Sequence, residues 1–143
     1  MTKLFNYKRF AVDYFYGVFL LIILNAGAAI VVDLHIPMVV LMLVLAYFTA
    51  AASGRRFARA FFMPATDMMV KAAGFWMTVE TVIIWLAIFV ISALLGEDIL
   101  AEIKQETYLK SYWYLGLLIV PFLTFLYRAS FRAAIIRELE RAR

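Results

Sequence analysis

A chain of 143 residues that is 66% hydrophobic holds one membrane domain and no soluble one, because soluble domains average about 45–50% apolar residues. With no cysteine and a single histidine, His35, it excludes disulfides, thiolate metal sites, iron–sulfur clusters and a cysteine nucleophile, and one chain alone supplies neither a conventional zinc set nor two haem ligands, so no cofactor is expected. The net charge of +4 accompanies no nucleic-acid motif, so the expected surroundings are a lipid bilayer and not a nucleic acid.

Four apolar stretches, at 14–32, 34–54, 72–96 and 111–127, each have about the 17–25 residues of a membrane-spanning helix; the third is interrupted only by Glu80. Twelve of the fourteen Lys and Arg residues fall on one side of them. They sit in the N-terminal arm, in the loop after the second stretch and in the tail, while Lys104 and Lys110 lie opposite. The positive-inside rule therefore predicts both termini in the cytoplasm. The expected fold is an all-α four-helix transmembrane bundle over 1–143, with spans at about 14–32, 37–53, 72–96 and 111–127. A cytoplasmic helical extension over 128–143 completes it.

The first helix is expected from near Asp13 to Val32. Phe5, Tyr7 and Phe10 stand among basic residues before it, a mixture suited to the interface. Lys3, Lys8 and Arg9 ahead of an apolar run, and Ala26-Gly27-Ala28 within it, resemble a signal peptide. The run continues through Val32, the length of a full span, so an uncleaved first helix is expected. Asp33 to Pro37 reads as a tight outer turn in which Asp33 caps and His35 is solvated. The second helix then covers about Pro37 to Ser53. Gly54 to Phe62 alternates Arg55, Arg56 and Arg59 with Phe57, Phe61 and Phe62. That segment is either the end of the second helix or a short interfacial helix, and Pro64 stops it.

Thr66 is the expected N-cap of the third helix, with Asp67 in its first turn and Gly96 as its stop. The outer loop from Glu97 to Lys110 carries Ile99, Leu100 and Ile103 at helical spacing. The fourth span follows with Tyr108, Tyr112, Trp113 and Tyr114 at its outer end and Pro121 inside it, which is expected to kink the helix or free the carbonyl one turn earlier. Beyond Arg128 the helix is expected to continue into the tail. There Phe131, Ile135 and Leu139 form a stripe for the membrane or a partner, and Glu138 can pair with Arg141.

Glu80 is the one acid inside a span, about 13 Å along the axis from Lys71 at ~1.5 Å per residue. A charged carboxylate there is costly, so it is expected to face the bundle interior. Thr78 and Thr81 stand near it, Asn25 at a comparable depth in the first span, and Thr49 and Thr124 in the other two. Together these six are the candidate intramembrane polar site. Arg55, Arg56, Arg59, Arg128 and Arg132 are the candidate contacts to lipid headgroups or a partner. Small residues at Gly17, Ala26, Gly27, Ala28 and Ala29, and at Ala46, Ala50, Ala51 and Ser53, allow close helix approach. No catalytic constellation is present, so an enzyme is not expected.

The stretch Ala46-Tyr47-Phe48-Thr49-Ala50-Ala51-Ala52-Ser53-Gly54-Arg55-Arg56-Phe57, followed by Met63-Pro64-Ala65-Thr66-Asp67, resembles a family of small, uncharacterised bacterial four-span proteins. There a small-residue helix ends in Gly and Phe, and a short basic linker with Pro and Thr precedes the third helix. Ala65 between Pro64 and Thr66, and Asp67-Met68 in place of a later acid, depart from that pattern. The resemblance implies four spans in an inner membrane and carries no known activity. The expected function is that of a small non-enzymatic protein that binds other membrane proteins, as an accessory subunit or immunity-type protein. The alternative is an oligomeric proton-coupled transporter or channel using Glu80. The expected partners are correspondingly a second membrane protein or further copies of the chain.

Overall fold

The computed structural model describes residues 6–32, 38–94 and 108–142. These form four helices: α1 (Tyr7–Val32), α2 (Met38–Phe61), α3 (Asp67–Leu94) and α4 (Tyr108–Arg141). All four are long and apolar enough to cross a membrane. The expected turn at Asp33 to Pro37, the outer-loop helix around Ile99 to Ile103, the stop at Gly96 and the side chains of the outer aromatic group lie outside the described residues.

Local chemistry sets the boundaries. α1 begins at Tyr7, well before Asp13, because Asn6 caps it: the Arg9 N–H donates to Asn6 Oδ1 at 3.0 Å. α2 does not stop at Ser53. The segment from Gly54 to Phe61 is the end of this helix and not a separate interfacial one. It ends where Phe62 enters the left-handed region with φ 50°, and Pro64 follows. Thr66 caps α3 as expected, accepting the Met69 N–H at 3.3 Å, with Asp67 in the first turn. α4 starts at Tyr108 and continues as helix through Pro121 to Arg141, so span and tail are one helix.

Packing gives a ring order that differs from chain order. α4 lies chiefly against α2 and secondly against α3, and α1 touches α2 and α3. Going round the bundle the order is therefore α1, α2, α4, α3. Gly54 meets Phe131 and Arg59 meets Glu138, so α2 and α4 run parallel. Tyr7 stacks on Trp76 and Tyr14 meets Trp85, so α1 and α3 also run parallel. The link at 62–66 crosses the bundle diagonally.

The core is one-sided along the axis. It draws on Phe10, Tyr14 and Val18 of α1, Leu41 to Ala58 of α2, Val70 to Thr81 of α3, and Leu123 to Ile135 of α4. Among the described residues of α1, α3 and α4 it sits toward the basic ends of the helices, while on α2 it reaches outward to Leu41. Further out, Ile30 and Val31 of α1 and Leu94 of α3 are more than 80% exposed. Phe131 and Ile135 are buried against the core and Leu139 is partly buried on it. The tail stripe therefore docks on the chain's own core, because α2 extends far enough to meet it. Glu138 likewise pairs with Arg59 of α2.

Two glycines separate packing from backbone propensity. A Cβ at Gly54 would lie 2.5 Å from the Phe131 carbonyl oxygen and 3.0 Å from Ala134 Cβ, whereas one at Gly27 would meet nothing within 4 Å. Gly→Ala in a helix gains ~1 kcal/mol from propensity alone. Gly54→Ala is expected to destabilise by about 1–3 kcal/mol through overpacking against immovable backbone. Gly27→Ala is expected to be neutral or stabilising. Thermal unfolding of both variants in detergent checks this, and equal effects would show that α2 and α4 do not meet at Gly54.

Candidate functional site

The polar residues picked from the sequence separate into distinct arrangements. Thr81 of α3 and Tyr127 of α4 share a hydrogen bond between their hydroxyls, and both are fully buried. Thr81 also donates to the Met77 carbonyl at 2.8 Å. Tyr14 of α1, equally buried, brings its hydroxyl to both and accepts the Trp85 indole N–H at 3.1 Å. Phe10 packs edge-on to Tyr127 at 5.7 Å across the bundle. This knot joins three helices at the centre of the core. Tyr14 and Tyr127 were missed by sequence reasoning. Their signal is the i, i+4, i+8 repeat Phe10, Tyr14, Val18 on α1 and Leu123, Tyr127, Phe131 on α4.

Thr78 and Thr124 share a second α3–α4 bond at 2.9 Å; each has the carbonyl four residues back within reach, and since each hydroxyl has one proton, one donates to its carbonyl and the other donates across the bundle. Thr49 is buried on α2 and returns its hydroxyl to its own helix, at the Leu45 carbonyl. Glu80 does not join these threonines. It stands about 200° of helix rotation from Thr78 at ~100° per residue. It shares its face with Trp76, on which Tyr7 of α1 packs at 5.8 Å. Its Oε2 is enclosed and has no hydrogen-bond partner among the described residues.

Asn25 is not level with Glu80. α1 and α3 run parallel with Tyr7 against Trp76 and Tyr14 against Trp85, so Glu80 is level with α1 between Tyr7 and Tyr14. Asn25 lies eleven residues past Tyr14, about 16 Å further along at ~1.5 Å per residue. α1 enters the bundle deeper than a helix starting at Asp13 would, which shifts every level on it outward.

The five candidate arginines also divide. Arg56 pairs with Asp13 of α1, which Arg9 shares at 3.4 Å; Arg59 pairs with Glu138 at 2.7 Å; Arg132 pairs with Asp67 at 3.1 Å. These pairs connect α1 to α2, α2 to α4, and α4 to α3, forming a girdle round the basic end. Arg128 lays its aliphatic stem over Gly74, with Nε enclosed and without a hydrogen-bond partner among the described residues. Arg55 is exposed and makes no ion pair among the described residues; it lines a cavity with Arg137 and Arg141. No group of three or more His, Cys, Asp and Glu able to hold a metal occurs among the described residues.

Comparison of the chain with protein-family models, with curated proteins and with solved structures gives no match.

The Thr81–Tyr127 bond is buried deeply enough to measure. A double-mutant cycle of Thr81→Val and Tyr127→Phe is expected to give a coupling of about 0.5–1.5 kcal/mol. Chemical denaturation in detergent reads it, and a coupling near zero would mean that the two hydroxyls do not meet.

Proposed function

We propose that this chain is a small, non-enzymatic multi-pass protein of a bacterial inner membrane, working by association with other membrane proteins as an accessory or immunity-type subunit. Both termini and the 62–66 link lie on the cytoplasmic side in this reading, which the positive-inside rule supports. The observation that carries the reading is the unpacked outer half of α1. Past Leu21, which still packs on the core, the described side chains of this helix are mostly exposed; Leu20, Ile23 and Leu24 are each more than half exposed. Within that segment Ala26 and Gly27 are exposed, and a Cβ at Gly27 would find open space. Helices in lipid associate through small residues that let backbones come close. The small residues of α2 are used inside the chain, with Ala46, Ala50 and Ser53 buried. On α1 Gly17 packs against Leu45 of α2, while Ala26 and Gly27 are left for another helix.

The test is purification of the tagged chain from its native membrane in mild detergent, with mass spectrometry of what stays at fixed stoichiometry. A distinct membrane protein at constant ratio is expected. Gly27→Leu should reduce its recovery at least tenfold, and Glu80→Gln should leave it unchanged. Undiminished recovery with Gly27→Leu would remove the α1 face from the reading.

A second reading rests on Glu80, whose enclosed Oε2 has no partner among the described residues. A carboxyl held this way within a span is a candidate proton-binding group of an oligomeric transporter or channel. This reading expects pH-dependent flux in proteoliposomes that Glu80→Gln abolishes. Unchanged flux in that variant would take Glu80 out of any transport step.

A further inference from the structure

We propose that the cleft between α2 and α4 at the basic end binds the phosphate headgroup of an anionic phospholipid, with Arg55, Arg137 and Arg141 as its ligands. The cavity measures about 150 Å³, room for about five waters at ~30 Å³ each. Arg55 comes from α2, and Arg137 and Arg141 come from α4 one turn apart. None of the three has an ion-pair partner among the described residues, whereas Arg56, Arg59 and Arg132 are all engaged by acids. Three guanidiniums lining one cavity repel each other unless an anion lies between them. The planar guanidinium fork matches phosphate oxygens two at a time.

The acid in the cleft does not cancel this charge. Glu138 lines it, but its carboxylate is held by Arg59 at 2.7 Å and its side chain is only 15% exposed. The cleft therefore keeps a net positive charge.

The choice of a lipid over a dissolved phosphate rests on the rest of the wall. Tyr47, Phe48 and Ala51 continue the same face of α2 above Arg55. Val44 extends it a further turn, and Val44, Tyr47 and Phe48 are all exposed. From Val44 to Arg55 this face spans about 16 Å at ~1.5 Å per residue. It runs from an apolar surface near the bilayer centre to arginine at the end, the same order as acyl chain and headgroup in one leaflet. Basic pockets between membrane helices on the cytoplasmic side take such headgroups. The inference needs the helices to span a membrane, and it does not depend on the partner proposed above.

The test titrates detergent-solubilised phosphatidylglycerol or phosphatidylcholine onto the full-length protein in an uncharged detergent and reads affinity by thermophoresis. Phosphatidylglycerol is expected to bind at least ~10-fold more tightly than phosphatidylcholine. R55Q/R137Q is expected to weaken phosphatidylglycerol about 25-fold, at roughly 5-fold per arginine. K8Q/K71Q removes the same charge from exposed basic-end positions outside the cleft and is expected to change affinity less than ~2-fold. Ala51→Trp fills the cleft without altering charge and is expected to abolish the preference. Circular dichroism confirms that each variant stays helical, and Ala51→Trp decides the matter if the arginine pair does not fold. Equal weakening by both charge-removing pairs, no preference in the unsubstituted chain, or full binding by Ala51→Trp would overturn the site. Complete displacement of the lipid by ~1 mM inorganic phosphate would assign the cleft to a soluble phosphate and overturn the lipid.

Discussion

The close approach of α2 and α4 is the constraint on which the rest of the molecule depends. Lipid tails are as apolar as leucine, so burying hydrophobic surface between membrane helices gains little. Helices hold together there through contact, and contact needs small residues. Ala46, Ala50, Ser53 and Gly54 supply that surface on α2, and Gly54 places its backbone against the Phe131 carbonyl. Once the two helices are this near, Phe57 stacks on Phe131 at 5.8 Å and Ile135 is covered. The seam continues past the apolar part of either helix, turning the fourth span and the tail into one structural element.

The electrostatics follow from that pairing. α2 and α4 run parallel, so their C-terminal ends lie side by side, and α1 and α3 present N-terminal ends at the same level. Helix dipoles favour cations at the first pair and anions at the second. Of the girdle residues, Asp67 in the first turn of α3 and Arg59 in the last turn of α2 have that placement; Asp13, Arg56 and Arg132 stand further in and are paired because their helices face each other. Each pair is partly exposed and contributes at most about 1 kcal/mol. Their larger effect is to sort the arginines. Those facing an N-terminal helix are neutralised. Arg55, Arg137 and Arg141, which line the α2–α4 cleft, have no acid left for them among the described residues.

The interior polar groups obey a similar division. A hydroxyl in a membrane helix can return to its own carbonyl four residues back, as Thr49 and Thr81 do. Thr81 also accepts from Tyr127, and of Thr78 and Thr124 one donates locally while the other donates across, so these hydroxyls tie α3 to α4. A carboxylate has no such local solution. Glu80 shares a face of α3 with Trp76, away from Thr78, and keeps one oxygen enclosed and unpartnered among the described residues. That separates fastening groups from Glu80, which like Arg128 keeps an enclosed polar atom without a hydrogen-bond partner among the described residues.

Residue type, run length and charge flanks were enough to read four membrane-length helices, the Thr66 cap and the clustering of basic ends, because these depend on local propensity and on the length of an apolar run. Glu80 stood out for the same reason, as an ionisable group in an apolar stretch. Which helices touch could not be read that way. Chain order suggests the hairpins α1–α2 and α3–α4, and both pairs pack; what it does not show is that α4 also lies beside α2, so that the 62–66 link crosses a diagonal. Depth was misjudged for Asn25 because the offset of α1 against α3 is set by Tyr7 on Trp76 and Tyr14 on Trp85, contacts between residues about 70 apart in sequence. The roles of Arg56, Arg59 and Arg132 as fasteners, and of Arg55 as a cleft residue, were decided by which side chain faces which neighbouring helix. The sequence by itself determined what can cross a membrane and which ends collect positive charge. Only the packing decided which polar and basic groups meet, because that depends on the relative rotation and offset of helices, and no local pattern encodes either.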